Sequence, residues 1–204
     1  MASDIVAGEL YGTLTGQLFE IGRQLRQPNG YPFNPEQLKA HLQAAIEGRF
    51  IDGEIYLVEM GGPETTDQIV AYLKSQGLWV NEYITSKLFP LTARASYTDV
   101  IEIVDPGRGF NFDECPAILN AAGLDCPTSE HWLRFARKYG TTTVGKKPYV
   151  VFPHEPVEDP LRNRRVGVVG RDPQGRRLRL CYPDGGFGDG CVLAGVRRAK
   201  QSQA

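Results

Sequence analysis

No stretch of this chain approaches the roughly 18 consecutive apolar residues that would span a bilayer, and its opening, MASDIVAGELYGTL, has no basic segment followed by an apolar one. Neither a membrane span nor an export signal is expected, and the expected location is the cytoplasm. The four cysteines, Cys115, Cys126, Cys181 and Cys191, lie too far apart for the short paired spacings of zinc sites or thioredoxin-like redox motifs, so reduced core thiols are expected. The three histidines, His41, His131 and His154, include no helical ligand pair. No serine or cysteine stands in a nucleophile-elbow string, and GRGFNF at 107–112 lacks the regularity of a phosphate loop. Motifs therefore assign no catalytic residue, no metal ligand and no cofactor, although acid and base pairs that converge only in space leave no such trace. Internal repeats and low-complexity tracts are also missing.

What remains is a chain well able to bury a core: 204 residues, 41% hydrophobic and 10% aromatic, enough for one domain plus an added subdomain. The formal charge of −1 conceals an asymmetry. Residues 160–204 hold ten Lys or Arg against three Asp, a net +7, which leaves −8 on residues 1–159. Such polarity marks either a surface that meets acidic partners or a solvated sheet face.

Leu14, Leu18, Ile21 and Leu25 recur at three- and four-residue intervals, the stripe of an amphipathic helix over 9–27 that Pro28, Asn29 and Gly30 end. A second helix is read from Asn34 as cap and Pro35 as first helical residue, with Leu38, Leu42, Ala45 and Ile46 inward and Gly48 closing it. GEIYLVEM at 53–60 alternates like a strand. TTDQIVAYLKSQG then reads as a helix capped by Thr65 or Thr66 and ended by Gly77. VNEYITSKLFPL is open between strand and loop. SYTDVIEIVD at 96–105 has strand composition, and two short helices follow, DECPAILNAAG from Asp113 and TSEHWLRFARKYG with Thr128 as cap.

From Pro148 onward the pattern is β: PYVVF, RRVGVVGRD, GRRLRLCY and CVLAGVRR, with DPQG at 172–175 as a hairpin turn. In GRRLRLCY, Leu178, Leu180 and Tyr182 share one face while Arg177, Arg179 and Cys181 share the other.

A strand at 96–105, two helices and several short strands closing on CVLAGVRR resemble the C-type-lectin-like fold. The likeness is to the branch that contains formylglycine-generating enzymes and the variable proteins of diversity-generating retroelements. RRVGVV, RLRLCY, FGDGCVLAGVRR, VNEYITSKLFPL and YPFNPEQLKAHLQAAIEGRF are likewise similar to a group of uncharacterised bacterial proteins with the same C-terminal layout. The resemblance implies that SYTDVIEIVD pairs with CVLAGVRR, and that the late loops, 154–165 and 183–190, face a ligand. The chain has no Trp-Ile-Gly-Leu core string, no Glu-Pro-Asn type calcium triplet and no paired catalytic cysteines, so the resemblance extends to fold and not to activity.

The expected architecture is α+β: a helical N-terminal region at 1–50, a strand-helix connecting region at 51–95 and a C-type-lectin-like antiparallel domain at 96–204. Candidate binding residues are Arg164, Arg165, Arg171, Arg177, Arg179, Tyr182, Asp184, Phe187 and Asp189. Two readings stand for them. In the first, the late loops and the Arg-rich sheet form a non-catalytic binding module for a protein or other ligand, with Phe187 as an exposed anchor in the mobile loop YPDGGFGDG. In the second, the arginines, with Arg162 and Arg176, hold nucleic-acid phosphates while Tyr182 and Phe187 stack on bases. Asp184 and Asp189 depart from the calcium-loop spacing and read as turn residues. In TSEHWLRFARKYG, outward His131, Arg134, Arg137 and Lys138 would suit a recognition helix, but Trp132, Leu133, Phe135 and Ala136 favour a core helix.

Overall fold

The computed structural model describes residues 7–24, 26, 38–39, 42–43, 55–141 and 147–197. The chain divides into two compact units, 1–47 and 48–204. In the first, α1 (Ala7–Gln24) covers most of the helix read over 9–27, and Arg23 in its last turn pairs with Glu20 at 2.7 Å. Leu18 is 54% exposed there and Ile21 half-buried. Of the second expected helix, 38–39 and 42–43 are helical; its cap and its closing Gly48 lie outside the described residues.

The second unit is α+β. Its strands are β1 (Ile55–Gly62), β2 (Trp79–Val80), β3 (Arg94–Val104), β4 (Leu124–Asp125), β5 (Tyr149–Glu158), β6 (Arg164–Asp172), β7 (Gly175–Cys181) and β8 (Cys191–Arg197). Its helices are α2 (Thr66–Ser75), α3 (Cys115–Ala121) and α4 (Ser129–Tyr139). The strands form one mixed sheet in the order β1-β3-β8-β5-β6-β7-β2, with β4 pairing on the end of β8. β8 runs antiparallel to β3, Ile101 opposite Val196, and parallel to β5, Val150 opposite Val192. The last described strand thus sits inside the sheet, with β1 and β2 at its edges.

The DPQG turn closes β6 onto β7: Asp172 faces Gly175, and its Oδ1 accepts the Gln174 N–H at 3.0 Å. VNEYITSKLFPL is mostly turns after β2, held inward by buried Ile84 and Phe89. The helix expected from Asp113 begins as a 3-10 turn, Phe112–Glu114, and becomes α3 at Cys115, with Pro116 in the first turn where no amide acceptor is lost.

Side-chain alternation builds two cores. One face presents Val150 and Phe152 of β5, Leu178 and Leu180 of β7, and Val192 and Ala194 of β8 to α2 (Ile69, Val70, Leu73) and α4 (Trp132, Leu133, Phe135, Ala136). The other places Val151, Val166, Val168 and Leu193 against Phe110, Cys115, Leu119 and Phe187. Each fully buried side chain of this size contributes about 1.5–3 kcal/mol, so helices and loops on both faces lock the sheet. Gly167 of β6 has no side chain because the Trp132 ring fills that space, and a Cβ there would collide with it.

Two histidines are part of this framework. His131 Nδ1 accepts the Thr128 N–H at 3.0 Å in a capping box that starts α4, which leaves Nε2–H to donate to Asp99 at 3.0 Å. His154 is 1% exposed; its Nδ1–H donates to the Glu155 carbonyl at 2.7 Å and its Nε2 accepts the Gly167 N–H at 2.9 Å. It sits where the β5–β6 register shifts between Phe152 and Val157. Burial lowers the pKa of both rings, against the hydrogen bonds to Asp99 and to the Glu155 carbonyl.

Candidate functional site

Sheet order creates the site. β7 ends at Cys181 and β8 begins at Cys191, yet β6 and β5 lie between them, so residues 182–190 must cross both strands over the face that bears Val151 and Val168. With strands about 4.8 Å apart, the crossing spans three spacings, roughly 14 Å. Phe187 and Phe110 pin it in the middle. Gly186 helps it turn, at φ 68°, a conformation glycine adopts without a Cβ penalty.

Beneath this bridge lies a cavity of about 440 Å³. It is lined by Tyr149, Arg179, Cys181 and Cys191 and by Tyr182 and Gly185 to Gly188 of the bridge, with Val151 and Val168, 0% and 2% exposed, packed behind them. None of its lining residues is a carboxylate. Arg179 is half-buried, its guanidinium 5.8 Å from the centre of the Tyr149 ring, and it has no ion-pair partner among the described residues. Burial raises the pKa of both thiols, so they are protonated at neutral pH. A second cavity of about 410 Å³ lies beside the same bridge, bordered by Arg108, Asn111 and Glu114.

The other candidate residues have different fates. Arg165 is tied to buried Asp159 at 2.7 Å and lies 3.7 Å over the Tyr182 ring, which fixes the rim of the cavity. Burial opposes charge on Asp159, but the Asn163 and Leu161 amides and the Arg165 guanidinium outweigh it, and its pKa is lowered. Arg164 pairs with Asp184 at 3.2 Å. Arg177 pairs with Asp172 and stands 5.2 Å over the Trp79 ring. Arg171 and Arg176 are Cα partners, whereas Arg177 pairs with Gly170 and Arg179 with Val168. Cross-strand partners share a face, so Arg171 and Arg176 point opposite to Arg177 and Arg179. Asp189 is exposed.

Phe187 is not an exposed anchor. It is 8% exposed, because the bridge must dip to meet Phe110. The expected ligand-facing loop at 154–165 is largely strand: β5 runs to Glu158 and β6 starts at Arg164, leaving a turn centred on Asp159, whose Oδ1 accepts the Leu161 and Asn163 amides. The cysteines are also more varied than core thiols: Cys115 is buried, Cys181 and Cys191 intermediate, and Cys126 exposed.

Away from this site, Glu64 binds Arg134 at 3.2 Å and Arg137 at 3.0 Å, and Lys138 donates to the Leu57 carbonyl at 2.9 Å, so the polar cleft of about 350 Å³ beside α4 is closed by its own ion pairs. His131 and Arg134 are each 8% exposed, which makes α4 a core helix with its polar side engaged. Thr128 Oγ1, His131 and Asp99 are linked in the order of a nucleophile relay. The His131 lone pair, however, is held by the Thr128 amide, and none of the three cavities reaches it. No three His, Cys, Asp or Glu side chains converge on a metal-sized space among the described residues, and no described helix is long and apolar enough to cross a membrane.

Sequence pattern alone does not single out Tyr149, Cys181 and Cys191 as site residues. The only trace of their role is alternation, which puts Tyr149 with Val151 and Cys181 with Arg179. The chain matches no protein-family model, no curated protein and no solved structure.

Proposed function

We propose that this protein is a non-catalytic binding module that takes its ligand, a protein segment or a small molecule, under the 182–190 bridge. One observation carries the reading: the bridge lines a cavity whose one cation, Arg179, has no ion-pair partner among the described residues, while Arg164, Arg165 and Arg177 are each paired. Pockets of roughly 300–1,000 Å³ with an apolar lining and few polar groups are the usual form of a ligand site. We read residues 96–204 as a C-type-lectin-like domain, a reading supported by the β3–β8 pairing that brings its two ends together.

A thermal-shift survey of small carboxylic acids, amines, neutral amides and short peptides tests this. A ligand of the cavity raises Tm, protects Cys181 and Cys191 from iodoacetamide, and does neither in Gly188→Trp, which adds a ring at a lining position whose Cβ meets open space. A survey in which no compound does both sinks the reading.

Nucleic-acid binding is the second reading, favoured by Arg171 and Arg176, which stand opposite each other with no ion-pair partner among the described residues. Fluorescence anisotropy with mixed-sequence single- and double-stranded nucleic acid across a salt series decides it. Binding must weaken steeply with salt and vanish in Arg171→Glu/Arg176→Glu.

A further inference from the structure

We infer that the cavity at the 182–190 bridge selects an amphipathic anion: a ligand whose apolar body packs on Tyr149 and the bridge and whose single carboxylate, sulfonate or phosphate group meets Arg179. The inference rests on the binding-module reading and adds the chemistry of the ligand.

The first support is electrostatic. A half-buried guanidinium has lost part of its hydration, and such a group is normally compensated by an anion. On the same face and strand Arg177 is compensated by Asp172, and on β6 half-buried Arg165 by Asp159, whereas Arg171 and Arg176, also without an ion pair among the described residues, lie on the opposite face and away from the cavity. Arg179 has only the face of Tyr149, at 5.8 Å. With no Asp or Glu in the lining, nothing in the cavity competes for it. A bound anion completes the pattern, a cation is repelled, and a neutral apolar molecule deprives Arg179 of more water and returns nothing.

The second support is the remainder of the surface. The half-buried Tyr149 ring supplies apolar contact, backed by the buried Val151, Val168 and Phe187. Tyr182, which lines the rim, is already engaged by Arg165, which donates to its hydroxyl at 2.9 Å, so the rim is held in place before a ligand enters. A fully hydrated inorganic anion gains nothing from that apolar surface. An anion with an aromatic or aliphatic body uses both halves of the site.

Two probes that share a body separate the terms: 1-anilinonaphthalene-8-sulfonate, and N-phenyl-1-naphthylamine, which lacks the sulfonate. Fluorescence titration of the full chain is expected to show one saturable sulfonate-dye site, with the neutral dye about tenfold weaker or more. Arg179→Gln should weaken the sulfonate dye by about tenfold and leave the neutral dye no weaker, while Arg177→Gln changes neither. Bound dye should slow iodoacetamide modification of Cys181 and Cys191 in the unmutated protein, which locates it without relying on a cavity-filling variant. Equal binding of the two dyes with protection of both thiols, or an Arg179→Gln protein that binds the sulfonate dye unchanged, overturns the anion inference and leaves the binding cavity standing. If neither dye binds or protects the thiols, the anion inference falls, and the compound survey alone decides the binding-module reading.

Discussion

Phe110 and Phe187 exchange both backbone hydrogen bonds, at 2.9 and 2.7 Å, and their rings stand 5.2 Å apart. This single isolated bridge fastens the glycine-rich crossing to the segment that precedes α3, and with it the roof of the cavity. Phe187→Ala keeps the backbone bonds but removes the ring from its cluster. It is expected to cost about 3 kcal/mol in urea unfolding. In the folded protein it should also speed alkylation of Cys181 and Cys191 while leaving Cys115 protected.

Stability should fall as the solution is acidified through the histidine range. His131 and His154 have folded pKa values below their ordinary one, so the unfolded chain binds more protons once the pH drops below about 6.5. Their contribution is full above about pH 7, declines between about 6.5 and the lowered folded values, and is gone beneath them. Each ring can add a slope of up to about 1.4 kcal/mol per pH unit in that window. Denaturant midpoints measured from pH 5 to 8 check this, and a flat profile over that range contradicts it.

Thiol reactivity should follow burial. Cys126 is exposed, whereas Cys115 is fully buried and its pKa is pushed up to about 12, chiefly by burial. In native protein treated with iodoacetamide, mass spectrometry is expected to find Cys126 modified first, Cys181 and Cys191 more slowly, and Cys115 only after unfolding.

Arg171 and Arg176 face each other across the β6–β7 hairpin as like charges. Directly opposed like charges destabilise a strand pair, so Arg176→Glu should raise stability by roughly 0.2–1 kcal/mol, and added salt should shrink the gain. Thermal melts in low and high salt measure both effects.

Local pattern makes many of the elements legible in the amino-acid sequence. β7 is readable because Leu178 and Leu180 alternate with Arg177 and Arg179, and α4 because Thr128 caps a run in which Trp132, Leu133, Phe135 and Ala136 recur on one side. The cavity is not, since it arises from the order of strands in the sheet. Cys181 and Cys191 are joined by a short glycine-rich stretch that looks like an ordinary turn, and only the position of β5 and β6 between them makes it a roof. The same non-local cause hides the burial of Phe187, whose glycine neighbours suggest exposure while its partner Phe110 comes from before α3. The arginines are visible as residues but not as pairs, because charge counts do not reveal which carboxylate each one reaches.

The interior place of β8 bears on how the sheet is made. Until residues 191–197 have left the ribosome, β3 and β5 each lack the neighbour that both later share. Without β8 the strand pairings fall into two sets, β1 with β3 and β5–β6–β7–β2, and in each the strand that β8 would join presents an open edge able to pair with the wrong strand. Completion waits on the last of the eight described strands to be synthesised, and the long-range pairing it requires makes that step slow. Loss of β8 would not trim this sheet; it would cut it in two.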